Sequence, residues 1–370
     1  MELPHIAFEA YRERAKRARA LMERHGIDVL LASPSKNFRY LTGCDIPRSE
    51  RLVALLFRRE AGPTIVAPHF ARDHILTCPL KMKIELWRDD EDPMAVMRRL
   101  VGDAPGIRIG LEPRTDFSVY MQLVRGIPEV QWVDGSVVFE HLRCEKAEDE
   151  IRCIEAAIAI TERVFAKIST MLRQGMTERE LAEKLVMAMN NQGGERTEAL
   201  VQFGENAAVP HGVPGGRTLA AGDVIMIDMG TAVCGYHSDL TRVFAYRKDS
   251  DALRQVYAIV RGAQSVAYEK VRPGVIAEEI DAAARDVIDR HEYGIHFTHR
   301  AGHGVGLDGH EPPYLVRGNH EPLRAGMVLT IEPGIYLSGR FGVRLEDQVL
   351  VTEKGARMLS AGAGELQVVG

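Results

Sequence analysis

The sequence lacks any run approaching the about 20 consecutive apolar residues that a membrane-spanning helix needs. Its opening stretch, MELPHIAFEAYRERAKRARALMERHG, carries no apolar leader core. Cysteine is scarce, with five in 370 residues (Cys44, Cys78, Cys144, Cys153 and Cys234), odd in number and without a CxxC pair. That usage excludes a zinc knuckle and argues against a disulfide framework, so each cysteine is expected as a small buried hydrophobe in a reducing cytoplasm. Positive charge is not in excess either. At a formal net charge of −5 the chain offers no basic patch for nucleic acid and no polybasic stretch for a membrane surface. The glycine run GHGVG at 302–306 lacks both the Lys-Ser/Thr ending and the GxGxxG spacing of a phosphate loop. What remains is a cytoplasmic globular chain, 45% hydrophobic and 27% charged, long enough for two domains with two cores.

Phe8 to Gly26 is basic and has apolar positions at helical spacing, with Gly26 as the cap. Val29–Ala32 reads as a buried strand, and Leu52–Phe57 with Thr64–Ala67 as a hairpin joined by Arg58–Pro63. Helices are expected at Pro93–Leu100 and Phe117–Val124, and strands at Ile107–Glu112 and Val130–Asp134. This alternation predicts an α/β domain over residues 1–142, with a second domain over 143–370. The second opens with a long helical pattern through Leu172, closed by Gly175. A helix over Thr177–Gln192 follows, with Glu180 at capping-box spacing from Thr177.

The second domain contains an internal repeat. AAGDVIMIDMG, ending at Gly230, matches RAGMVLTIEPG, ending at Gly334, so that Asp228 falls on Glu332. The upstream helix pair recurs as Asp251–Val271 and Ala277–Asp289, and His211 in VPHGVPG has its counterpart in His310 in GHEPP. Each half adds a second acid, Asp239 in YHSDLTRVF and Glu346 in GVRLEDQVL. Two copies that each end a strand in an acid would bring four carboxylates to one centre of a duplicated α+β domain. Buried together they must either protonate or be neutralised by cations, and two divalent ions balance four carboxylates. With His303 as a further ligand, the oxygen- and nitrogen-rich set suits Mn, Co, Zn or Fe better than calcium. Two such ions can hold a bridging hydroxide and clamp the oxyanion formed when it attacks a carbonyl. His211 and His310, each in a Gly/Pro-rich loop, are candidates to hydrogen-bond substrate or shuttle a proton.

Taken in order, FGENAAVPHG, DMGTAVCGYHSDLTR, GHGVGLDGHEPP, LTIEPGIY and GVRLEDQVLVT resemble the catalytic motifs of the pita-bread metallopeptidases, in the branch of the Xaa-Pro aminopeptidases and Xaa-Pro dipeptidases (prolidases). IDVLLAS and FRYLTG resemble that branch's creatinase-like N-terminal domain. The resemblance covers essentially the whole chain. It implies that Asp228, Asp239, His303, Glu332 and Glu346 hold two divalent ions, Mn2+ or Co2+ ahead of Zn2+ or Fe2+, with Asp239 and Glu346 bridging. It further implies that His211 and His310 contact substrate and the tetrahedral intermediate, and that Glu332 helps deprotonate the nucleophilic water. Arg344 would steady the ligands or meet a substrate carboxylate. The expected activity is hydrolysis of the Xaa-Pro bond of dipeptides or peptide N-termini, by a homodimer with no nucleic-acid or membrane partner. The alternatives are a pita-bread hydrolase acting on another small C–N or ester-like substrate, or a metal-free peptide-binding module. Creatinase-type and binding members lack the metal set, and here every ligand position is filled.

Overall fold

In the computed structural model, residues 3–59, 61–102 and 106–370 are described. The chain divides into two compact units, Ile6–Arg143 and Cys144–Gly370, the second joined by the few residues before Ile6. No helix among the described residues is long and apolar enough to cross a membrane.

The first unit is built on a six-stranded sheet of β1 (Val29–Ala32), β2 (Ala54–Arg58), β3 (Thr64–Pro68), β4 (Lys83–Trp87), β5 (Arg108–Leu111) and β6 (Gln131–Asp134), in the order β4-β3-β2-β1-β5-β6. β1, β5 and β6 run parallel, whereas β1-β2-β3 is antiparallel. All four residues of β1 are buried, which explains why VLLA reads as a continuous apolar run instead of an alternating one. The helix Phe8–His25 stops at Gly26, whose φ of +62° closes it in the left-handed conformation. The expected strands and helices of this unit are all present, and the hairpin pairs Ala54 with Val66; its turn includes Glu60, outside the described residues. β4 and the helix Lys36–Thr42 are additional elements, too short to show a clear period. One expectation is corrected: Cys44 and Cys78 are not separate thiols but form a disulfide, with Cα atoms 5.1 Å apart. The two lie 34 residues apart, each just beyond a short helix, and only the tertiary fold brings them together. Cys144, Cys153 and Cys234 form no disulfide; the first two are buried and Cys234 is partly exposed.

The second unit is the duplicated α+β domain. Its first sheet is built of β7 (Glu195–Phe203), β8 (Val224–Val233), β10 (Leu240–Tyr246) and β18 (Gln367–Val369), in the order β18-β10-β8-β7, with β9 (Tyr236–His237) pairing with β8. Its second runs β12-β11-β13-β16-β17, with β11 (Gly302–Gly304), β12 (Glu311–Leu315), β13 (Val328–Ile331), β16 (Asp347–Thr352) and β17 (Gly355–Met358). β14 (Gly334–Leu337) and β15 (Phe341–Arg344) form a separate hairpin, and β18 (Gln367–Val369) returns to β10. Each copy is preceded by a helix pair. The first is Glu148–Phe165 and Glu178–Asn190, the latter with the expected Thr177–Glu180 capping box; the second is Asp251–Lys270 and Ala277–Arg290. The long helix ends at Phe165, short of Leu172, and a separate turn of helix covers Ile168–Met171. Ala166 and Lys167 at the break are good helix formers, so local propensity does not account for it.

Candidate metal centre

The repeat places its acids near one end of two antiparallel strand pairings. In the first copy β8 pairs with β10, with Asp228 opposite Thr241 and Asp239 at the turn before β10. In the second β13 pairs with β16, and Glu332 and Glu346 stand just beyond the pairing of Ile331 with Asp347. The copies meet at a bridge between Thr241 and Glu346. There the hydroxyl of Thr241, two residues after Asp239, donates to Glu346 Oε2 at 2.6 Å. The side chain of Gln348, two residues after Glu346, accepts from the backbone N–H of Asp239 at 3.0 Å. Each copy thus steadies the other copy's acid from the same position. Arg242 locks the seam with hydrogen bonds of 2.6 Å to both Glu346 O and Asp347 Oδ1. Gln264, buried on the helix Asp251–Lys270, donates to the carbonyls of Ile331 and Leu345, one residue before Glu332 and Glu346.

All five residues expected at the centre come together. Asp228, Asp239 and Glu346 bring their carboxylate oxygens within 4.8 Å of one another, as do the ligand atoms of His303, Glu332 and Glu346, and of Asp239, His303 and His310. Burial, and then the charges of Glu346, Asp228 and Glu332, holds the Asp239 carboxyl well above the usual carboxylate range. Burial followed by Glu332 and Asp228 does the same to Glu346. For Glu332 burial acts upward, but the hydrogen bond and charge of His303, then His299 and Arg344, bring it down to about 2. His303 is 1% exposed and directs Nδ1 to the carbonyl of Gly304 at 3.1 Å, which makes Nδ1 the protonated nitrogen. Its Nε2 then faces Glu332 Oε1 at 3.2 Å and Asp239 Oδ2 at 3.8 Å, where a lone pair against carboxylates is stable only with a proton or a cation between them. An oxygen-rich, anionic donor set completed by one imidazole fits a pair of divalent transition ions.

Arg344, expected either to steady the ligands or to meet substrate, directs its guanidinium to groups of the protein itself. It is 2% exposed and donates to Asp228 Oδ2 at 2.6 Å, Thr241 Oγ1 at 3.1 Å, Tyr336 Oη at 3.0 Å and the carbonyl of Pro210 at 3.1 Å. The last bond also fixes the loop bearing His211. Gln202 donates to the carbonyls of Val209 and Gly212 on either side of that histidine, and the buried carboxylate of Glu178 accepts from the backbone N–H groups of Phe203 and Gly215. The His310 loop is anchored by a buried ion pair, Lys146 Nζ to Glu311 Oε1 at 2.8 Å. Both histidines are left exposed at the end of well-held loops. Arg300 Nη2 donates to His310 Nδ1 at 3.3 Å, so His310 presents Nε2–H. Partial burial, then the charge of His303, pushes His310 down to about 4, which keeps it neutral and a hydrogen-bond donor near pH 7.

These side chains surround one cavity of about 540 Å³, lined by His211, His310, the five clustered residues, and four more that the sequence reading did not assign: Glu198, Leu200, His299 and Arg300. His299 donates from Nδ1 to Arg300 O and accepts from Tyr336 Oη, both at 2.8 Å, extending the Arg344–Tyr336 chain to the cavity wall. Nothing in the local sequence marks Glu198, Leu200, His299 or Arg300 as lining the cavity. His69, His74, His237, His296 and His320 are not among the cavity-lining residues.

Residues 152–353 match the sequence model of metallopeptidase family M24, and residues 14–144 that of the creatinase/prolidase N-terminal domain. A probable dipeptidase PepE of Mycobacterium tuberculosis is 35% identical over 366 residues, covering 98% of this chain and 97% of that protein. An Xaa-Pro dipeptidase of Lactobacillus helveticus is 35% identical over 352 residues, covering 92% and 95%. The crystal structure of dipeptidase PepE from Mycobacterium ulcerans superposes with a TM-score of 0.93 at 34% identity, over 99% of both chains.

Proposed function

The chain belongs to metallopeptidase family M24 with a creatinase/prolidase N-terminal domain, and from that premise we propose that it hydrolyses the Xaa-Pro bond of dipeptides or of peptide N-termini at a two-ion centre. The observation that carries the proposal is the reciprocal clamping of Asp239 and Glu346 across the repeat. The second copy holds the Asp239 backbone and the first copy the Glu346 carboxylate, and each of these two acids falls in two of the clusters of ligand atoms, which suits them to bridge. Asp228, Asp239 and Glu346 would hold one ion, and His303, Glu332 and both bridging acids the other. Divalent ions held there, Mn2+ or Co2+ foremost, would supply an activated water nucleophile and polarise the scissile carbonyl. The protein's side chains supply the remaining work. Glu332, a carboxylate lining the cavity, would accept the proton of the attacking water. His310 Nε2–H donates to the carbonyl oxygen as negative charge develops on it, with His211 as the second contact from its own loop. Arg344 and Tyr336 keep Asp228 and His299 in place.

The preference for proline rests on relatives such as the L. helveticus Xaa-Pro dipeptidase; the homodimer rests on the family resemblance and the cytoplasmic location on the sparse cysteine usage, and both belong to the same reading. Purified protein supplied with Mn2+ or Co2+ should release free alanine from Ala-Pro or from Ala-Pro-Yaa peptides. Two bound ions without turnover of either would instead favour a non-peptide C–N or ester-like substrate.

Thr241→Val tests the clamp. It removes the donor to Glu346 Oε2 and an acceptor of Arg344, and should weaken metal binding by roughly 10- to 100-fold, the effect typical of losing a group that orients a ligand. Activity should recover at saturating metal. Unchanged metal affinity in a titration would remove the clamp from the account.

A further inference from the structure

Glu198 is a cavity-lining carboxylate that neither the metal centre nor the mechanism uses. On β7 it lies opposite Gly230, and Leu200 lies opposite Asp228. Residues directly opposed in an antiparallel pair share a face of the sheet, so Glu198 and Leu200 stand on the Asp228 face, and both line the cavity. Glu198 is therefore the diagonal neighbour of Asp228, with backbones about 7 Å apart. Position 230 brings no side chain between them, because a Cβ there would come within 2.2 Å of the Ser238 carbonyl oxygen. Among the described residues Glu198 has no hydrogen bond and no paired cation, while its interaction with the Asp228 charge is repulsive. Two divalent ions balance the four carboxylates of the centre. Glu198 is a fifth carboxylate, exposed at the cavity wall beside Asp228.

We propose that Glu198 binds the N-terminal ammonium of the peptide, which it shares with Asp228, and so sets the enzyme to cut one residue from a free N-terminus. The chemistry favours this cation over a side-chain one. In a peptide whose first carbonyl is attacked, the ammonium nitrogen is two bonds from the reacting carbon and must lie beside the metal-holding acids, where Asp228 and Glu198 stand. An acylated or internal peptide segment brings no cation there and leaves Glu198 unpaired and partly desolvated, a cost that acts against endopeptidase binding.

The proposal deepens the peptidase reading and is tested by a pair of compounds that differ only in the ammonium: Ala-Pro and its desamino analogue propionyl-proline. In the metal-loaded Glu198→Gln variant, KM for Ala-Pro should rise at least about tenfold while kcat changes by less than about threefold. The inhibition constant of propionyl-proline should stay within about twofold, and bound metal should remain at the wild-type level. Glu198→Asp should recover part of the lost affinity. Equal weakening of both compounds, an unchanged KM for Ala-Pro, or a loss of bound metal that accounts for the defect would each overturn the assignment. Calorimetric affinities for Ala-Leu and propionyl-leucine give the same ratio without proline and without turnover. A protein that cleaves no Xaa-Pro peptide thus fails the proline reading, whereas a Glu198→Gln variant that still prefers the ammonium compounds by the wild-type ratio fails this one.

Discussion

Replacing Asp239 with asparagine is expected to leave no more than about one divalent ion per chain and to lower kcat by about 10³-fold or more. The size follows from position. Asp239 sits at the turn before β10 and shares its neighbourhood with Asp228 and Glu346 on one side and with His303 on the other. Its carboxyl is held well above its ordinary range by burial and by the three other acids, a state that only a proton or a cation relieves. Asparagine keeps the shape and the backbone bond to Gln348 but cannot carry the charge that bridges two ions. The variant should fold, since the amide has no charge to desolvate, so circular dichroism and thermal melting should match the metal-free wild type. Elemental analysis after reconstitution and dialysis reads the metal content. Two ions retained with full activity would remove Asp239 from the bridging position.

His310→Ala should behave differently: kcat for Ala-Pro falls by about 10²- to 10³-fold while both ions stay bound. The imidazole approaches the centre, with ring centroids 3.9 Å from His303 and Nε2 4.0 Å from Asp239 Oδ2. Two arrangements separate it from a ligand. Its side chain is 54% exposed, and its Nδ1 accepts from Arg300, which leaves Nε2–H as a donor. A group that donates only as charge develops on the substrate affects kcat more than KM. Loss of one ion from the variant, with KM for added metal raised, would instead make His310 a ligand. The same measurements on His211→Ala distinguish the two loops, because His211 is not part of the clustered ligand atoms.

Much of this site was legible in the sequence because the repeat writes it twice. Asp228 and Glu332 end matching apolar runs, and Asp239 and Glu346 open the next strands, so the duplication itself predicted a shared centre. What joins the copies was less visible. Thr241 and Gln348 do not match as residue types, yet from equivalent positions they hold the opposite copy's acid, one through a hydroxyl donor and the other through an amide acceptor. Arg344 read equally well as a ligand-holding or a substrate-binding group, and it is its four hydrogen bonds within the protein that favour the former. His299 and Tyr336 act through a hydrogen-bonded chain between segments 37 residues apart, which no local pattern encodes. Glu198 escaped because one more acid in ERTEALVQF looks like any solvated strand residue until its register against Asp228 is known. In the first unit the periodic strands and helices were readable, whereas the Cys44–Cys78 disulfide depends on how two short helices end, and scattered cysteines do not reveal that.

The central claim is that two divalent ions at the seam of the repeat carry the activity. The most direct test is to titrate the chelator-treated protein with Mn2+ while following release of alanine from Ala-Pro. The account predicts no turnover without metal and a rise that reaches its plateau at about two ions per chain. Full turnover that persists after complete removal of metal, or a plateau reached with one ion and no second binding event, would contradict it.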